Sequence, residues 1–248
     1  GGNDTLVVDF VNGSPVPGGG LTFDGLNGND TLSLQNGTAT NVTHTLIDGD
    51  TGNVSVDGGV VNYTNLAPVI DNLSVTNRVF TFTGAGETVI LDASGSLDNR
   101  IDSDQSELVD FTNPSGSLTI NLTNGSDTLN IRGLDAAFNA NLTANGDADD
   151  TISFNMNTTS VGTGNVTVNT GTVVVAANVT TTSGGDFDID GTTITVNGGA
   201  TVSTTGDGAI VADSTQSTSI SAASTLQTVS GNIALTANAG GVAANFDG

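Results

Sequence analysis

A chain of 248 residues with 26 acidic side chains, three basic ones and no cysteine carries a formal net charge of −23. The three basic residues, Arg78, Arg100 and Arg132, are too few to neutralise a phosphate backbone, which excludes nucleic acid as a partner and disfavours anionic membrane surfaces. No apolar run reaches the roughly 18 residues of a membrane-spanning helix, no disulfide is available, and divalent cations are the natural small partners of so many carboxylates.

Along the chain, short segments place an apolar residue at every second position. They begin with Leu6-Val7-Val8-Asp9-Phe10, Leu32-Ser33-Leu34 and Val54-Ser55-Val56. Val79-Phe80-Thr81-Phe82, Leu118-Thr119-Ile120-Asn121-Leu122 and Ile194-Thr195-Val196 continue the series. Period two is the mark of a half-buried strand. Gly, Asn and Asp fill the gaps, where they turn the chain at little conformational cost. The β-branched runs Val60-Val61 and Val173-Val174-Val175 argue against disorder. Helical periodicity is almost absent. From Phe187 onward the apolar centres recur at Ile194, Val202, Ile210, Ile220, Leu226, Ile233 and Val242. Three such strands make a coil of about 22 to 25 residues, the size of a β-helix rung.

These patterns predict an all-β chain folded as a right-handed parallel β-helix. Residues 1–248 form one continuous solenoid unit, with Asp/Asn-rich coils over about 1–160 and shorter Ser/Thr/Ala-rich coils over about 161–248. Leu21-Thr22 precedes Asn27–Leu32 with the spacing by which Leu118-Thr119 precedes Asn124–Leu129, as stacked coils would show. Abundant Asn and Thr suit ladders of side-chain hydrogen bonds between coils. Tandem β-sandwich modules are the rival, with Ala67-Pro68-Val69-Ile70 as a joint. The lack of tryptophan and the single tyrosine, Tyr63, count against them.

The motif Gly-x-Asp-x-Leu at Gly2-Asp4-Leu6, Gly28-Asp30-Leu32 and Gly125-Asp127-Leu129 resembles the RTX-type calcium repeat, and Asp149-Asp150 closes a shorter version. The resemblance implies Ca²⁺ held between turns at Asp4, Asp30, Asp127, Asp149 and Asp150. Asp102 and Asp104 in the acidic patch Asp98–Glu107 loosely resemble a calcium loop. The competing reading makes each Asp a cap on backbone N–H groups of its turn. His44, the single histidine, reads as an exposed strand residue. With no lysine and three scattered arginines a lyase constellation is hard to assemble, and the two carboxylates that glycoside cleavage needs, as Asp149-Asp150, point to opposite faces of a strand, so the chain is expected not to be an enzyme.

The segments Gly1–Phe10, Gly20–Gly25, Arg78–Phe82 and Ser117–Asn121 resemble those of giant bacterial β-strand-repeat surface proteins, adhesin-like and similar in style to filamentous haemagglutinin and RTX adhesins. That resemblance implies an extracellular or cell-surface, non-catalytic, structural role. Phe246-Asp247-Gly248 set before Gly1-Gly2-Asn3-Asp4-Thr5 reproduces Phe23–Thr31 with Gly-Gly in place of the loop Leu26-Asn27-Gly28. The expectation is therefore a head-to-tail homopolymer or tandem repeat, a fibre or adhesin stalk joined through those eight residues. The alternatives are a carbohydrate-binding or carbohydrate-cleaving β-helix and a calcium-dependent secretion or adhesion module.

Overall fold

The computed structural model describes residues 1–237 and the backbone of the strand Asn245–Phe246. Among these residues all regular structure is β, and the strands stack as a parallel β-helix with three faces. On the first face Thr5–Asp9, Thr31–Gln35, Val69–Asp71 and Val109–Phe111 lie side by side in parallel. On the second, Thr38–Asp48, Ser74–Phe82, Ser117–Leu122 and Asn141–Asn145 do the same. On the third, Thr88–Asp92 is followed by Thr128–Ile131 and Thr151–Phe154. The long strands Val166–Val175, Phe187–Val196 and Ile210–Ile220 bend around a corner and serve both the second and third faces. A separate sheet of Thr159–Ser160, Val179–Thr180, Thr201–Ser203 and Thr225–Gln227 closes the later coils.

The early coils are longer because antiparallel strands are inserted in them. Thr51–Val56 and Gly59–Thr64 fold back after Thr38–Asp48, and Asn99–Ser103 lies between Thr88–Asp92 and Val109–Phe111. Arg78 therefore stacks on Leu118, 40 residues on. Later the same column runs Leu118, Leu142, Val166, Phe187, Ile210 and Ile233, in steps of 21 to 24 residues. That step agrees with the coil expected from the apolar spacing.

The core is a set of inward columns. Leu118, Leu142, Val166, Phe187 and Ile210 are at most 1% exposed, and burial of each such side chain contributes roughly 1.5–3 kcal/mol. On the outside, Asn145 donates its amide to Asn121 at 2.9 Å, and Asn169 donates to Asn145 at 3.0 Å. This is the ladder that the asparagine content suggests.

One corner is built of glycine. Gly164, Gly185, Gly208 and Gly231 each stand two positions before the first residue of a strand and stack on successive coils. A Cβ at Gly185 or at Gly208 would fall 2.3 Å from the carbonyl oxygen of the stacked glycine. Coils can approach this closely only without side chains.

The two motifs with matching spacing are not stacked on each other. Leu21–Asp24 pairs with Gly59–Thr64, whereas Ser117–Leu122 pairs with Ser74–Phe82 and Asn141–Asn145. Their likeness comes from the same corner chemistry used on two different faces.

Candidate assembly surface and acidic corners

An acid stands just before the opening threonine of six strands: Asp50 on the inserted hairpin, and Asp4, Asp30, Glu87, Asp127 and Asp150 at corners of the coils. At this corner the chain turns inward, and the opening N–H of one coil needs an acceptor that its own coil cannot supply. The acid of the adjacent coil provides it. Asp30 Oδ1 accepts the Asp4 N–H at 2.7 Å, Asp127 Oδ1 accepts the Glu87 N–H at 2.6 Å, and Asp150 Oδ1 accepts the Asp127 N–H at 2.7 Å. Asp150 Oδ2 also takes the Asp147 N–H at 2.6 Å. Glu87 is tied to Gly84 N–H and to the hydroxyls of Ser103 and Ser106.

Asp30, Glu87, Asp127 and Asp150 are all buried, and Asp30 Oδ2 and Asp127 Oδ2 have no hydrogen-bond partner. Burial, reinforced by the negative neighbours Asp150 and Glu87, raises the Asp127 pKa above its ordinary value. The acids expected to share Ca²⁺ are thus divided. Asp127 and Asp150 stack in one corner, and Asp30 lies in another, beside Asp4. Asp4 and Asp149 are exposed. Asp102 is half-buried on an inserted strand, while Asp104 caps the Thr88 N–H at 2.7 Å. Among the described residues no group of three or more His, Cys, Asp or Glu side chains is placed to hold a metal ion. The capping role weighed against calcium is the one the geometry displays.

His44 corrects the sequence expectation: it is fully buried. Its strand position, stacked on Phe80 and in turn Ile120, belongs to an inward column. Asp71 and Arg78 also occupy inward columns, between Leu34 and Phe111 and between Val42 and Leu118. His44 Nε2 lies 2.9 Å from Asp71 Oδ2, and Arg78 Nε donates to the same oxygen at 3.0 Å. Arg78 also donates to the carbonyls of Thr112 and Leu73 and lies 5.4 Å over the Phe111 ring. His44 stacks on Phe80 at 4.9 Å. Burial pushes the Asp71 pKa up, but Arg78 and His44 together bring it below the ordinary value. Burial lowers that of His44 despite Asp71. Enclosed on all sides, this cluster pins two coils together.

At the ends of the described coils, backbone edges are open. Among the described residues, Thr5–Asp9 pairs only with Thr31–Gln35, and Ile233–Ala237 only with Ile210–Ile220. Ile233 continues an inward column, yet it is 44% exposed where Ile210 is 1% exposed. On the outermost coil Val7 and Val11 are exposed. Gly2-Asn3-Asp4-Thr5-Leu6 stacks in register on Gly28-Asn29-Asp30-Thr31-Leu32: Thr5 faces Thr31, and Gly2 N–H donates to Asn27 at 3.1 Å. Of the residues expected at the junction, Gly1 to Thr5 lie exposed on this outer coil. The backbone of Phe246 pairs with Ile220, and Asp247 and Gly248 lie outside the described residues.

Sequence reasoning missed the glycine column and the buried His44–Asp71–Arg78 cluster. The column had a signal, Gly-x-apolar recurring as Gly164-Asn165-Val166, Gly185-Asp186-Phe187, Gly208-Ala209-Ile210 and Gly231-Asn232-Ile233. The cluster had a weaker one, polar residues at positions where the strand alternation calls for apolar ones. The chain matches no family model, no curated protein and no solved structure.

Proposed function

We propose that this chain is a non-catalytic structural segment of an extended extracellular or cell-surface β-helical fibre or stalk, whose coils continue into a neighbouring repeat or copy. The observation that carries this reading is the outermost coil. Asp4 occupies the register position of Asp30, and its N–H is already capped in the manner of an internal coil. Its own carboxylate is exposed, ready for the N–H of one more coil. Thr5–Asp9 offers an open edge of the same kind, and unpaired edges recruit further strands. At the opposite end, Ile233, Leu226 and Leu235 continue apolar columns without full cover. Joining two such ends makes a heterologous contact, which propagates as a filament when it does not close.

The test is sedimentation and negative-stain electron microscopy of the purified chain and of a tandem duplication. Concentration-dependent rods of constant width, lost in a Val7→Lys/Ile233→Lys variant, support the proposal. Monomers at all concentrations, together with a duplication that folds as two separate bodies, would overturn it.

A further inference from the structure

Glu107 lies in a short loop, Asp104–Leu108, between the strands Asn99–Ser103 and Val109–Phe111. Asp104 and Gln105 of this loop are exposed, but Glu107 is only 3% exposed. Its Oε1 accepts the N–H of Leu108 at 3.0 Å. Its Oε2 is buried without a hydrogen-bond partner. The Tyr63 hydroxyl, which takes the space that a side chain at Gly52 would fill, is buried and unpartnered as well.

Among the described residues no cation is paired with this carboxyl. The charges that act on it are negative: Asp102 on the preceding strand and Asp50 on the hairpin turn opposite. Asp48, of the same turn, and Glu107 both bear on the Tyr63 hydroxyl. Glu87 faces the loop through Ser106, whose hydroxyl donates to it at 2.7 Å. Arg100 is engaged by Asp110 at 2.7 Å. Turn and loop lie against each other, since a Cβ at Gly49 would stand 3.9 Å from the Gln105 carbonyl oxygen. Two backbone bonds tie them to the chain between: the Leu66 N–H donates to the Asp50 carbonyl at 3.3 Å, and the Val69 N–H to the Leu108 carbonyl at 2.9 Å.

A neutral carboxyl can be enclosed in such a place. A carboxylate with one oxygen unpaired and acids for neighbours must regain water. The loop is at the surface and reaches water by a local movement that leaves the inner columns in place.

We propose that Glu107 is a proton-operated latch: protonated, it seals the loop Asp104–Leu108 against the hairpin turn Asp48–Asp50, and on losing its proton to solvent it swings outward and frees the turn. The hairpin that follows, Thr51–Val56 and Gly59–Thr64, carries the outer strand Leu21–Asp24, which among the described residues pairs with nothing else. The latch therefore sets how firmly that sheet edge is held. Burial keeps the Glu107 proton in place up to about 8 in the closed loop, whereas a solvated glutamate releases it near 4.5. Opening grows as pH rises through this interval and levels off above it, because the closed form binds the proton more tightly than the open one.

The test is amide hydrogen exchange of the intact chain from about pH 5.5 to about pH 9, corrected for the intrinsic pH dependence of exchange. The Leu66 and Val69 amides should lose protection at least about tenfold by about pH 8, while those of Val166–Val175 keep theirs. Glu107→Gln, which cannot ionise, should hold its protection at Leu66 and Val69 constant over the range. Asp50→Asn/Asp102→Asn keeps Glu107 but removes the charges that oppose its ionisation, and should move the loss to lower pH. Protection at Leu66 and Val69 that is independent of pH in the parent, or an equal loss at Val166–Val175, would overturn the latch. So would a loss that persists in Glu107→Gln and does not move in Asp50→Asn/Asp102→Asn. None of these results bears on fibre formation.

Discussion

The carbonyl oxygen of Gly208 occupies the place where a side chain at position 231 would begin: a Cβ on Gly231 would stand 1.9 Å from it. The relationship repeats one coil earlier, with Gly208 over the Gly185 carbonyl at 2.3 Å. Contacts that close cannot relax within a β-helix without parting the coils, because the neighbouring ladders hold them at a fixed spacing.

Gly208→Ala should therefore destabilise the chain by about 1–3 kcal/mol, the range for overpacking a close-packed site. Gly18→Ala, where nothing lies within 4 Å, should be nearly neutral. Equilibrium urea unfolding of the two variants checks this; equal midpoints would mean that the glycine corner is not a steric requirement.

Asp150 accepts two backbone N–H groups, from Asp127 and Asp147. Asp150→Ala strands both donors and should cost about 1–3 kcal/mol for each buried group left unpaired. Asp150→Asn keeps one acceptor and should fall between alanine and the parent. If the acid acts as a cap, millimolar Ca²⁺ will not restore the melting temperature of the alanine variant. Rescue by Ca²⁺ would return Asp150 to the list of cation ligands.

The Arg78–Asp71 pair is wholly buried. Arg78→Met leaves Asp71 charged in the core with only His44 beside it, and should cost about 3–5 kcal/mol. Arg78→Met/Asp71→Asn removes both charges and should recover much of that loss. Calorimetric melting of the single and double variants decides: an equally unstable double variant would show that Arg78 acts by packing on Phe111 and not by charge.

Glu107 is buried, and its carboxyl is pushed up to about 8 by burial, assisted by Asp102 and Asp50. An unfolded glutamate releases its proton near the ordinary value of 4.5. Between these values the folded chain holds a proton that the unfolded chain has lost. The contribution is therefore complete below pH 4.5 and declines as pH rises to about 8. Asp127, also raised, acts in the same direction, and Asp71, which is lowered, acts in the opposite one. Glu107→Gln should flatten the fall in stability across this window in denaturant titrations at several pH values. An unchanged slope would show that Glu107 ionises normally in the fold.

Strand alternation at Leu118–Leu122 and Ile194–Val196, the turn residues between strands and the short apolar step after Phe187 specify stacked β coils by local physics alone. Side chains that alternate can bury only one face, and a thin aliphatic column needs no aromatic filling. The net charge of −23 likewise argues against polyanionic partners without reference to any fold. Tertiary structure decided the rest, because it sets which coil lies beside which. Asp30, Asp127 and Asp150 look like ligands while each is seen with its own turn, and they become caps once the N–H of the adjacent coil is brought within hydrogen-bond distance. His44 looks like a surface residue until Asp71 and Arg78, 27 and 34 positions further on, meet it inside the coil. A linear sequence records the alternation of one strand but not its neighbours, and in a β-helix the neighbours supply the partners.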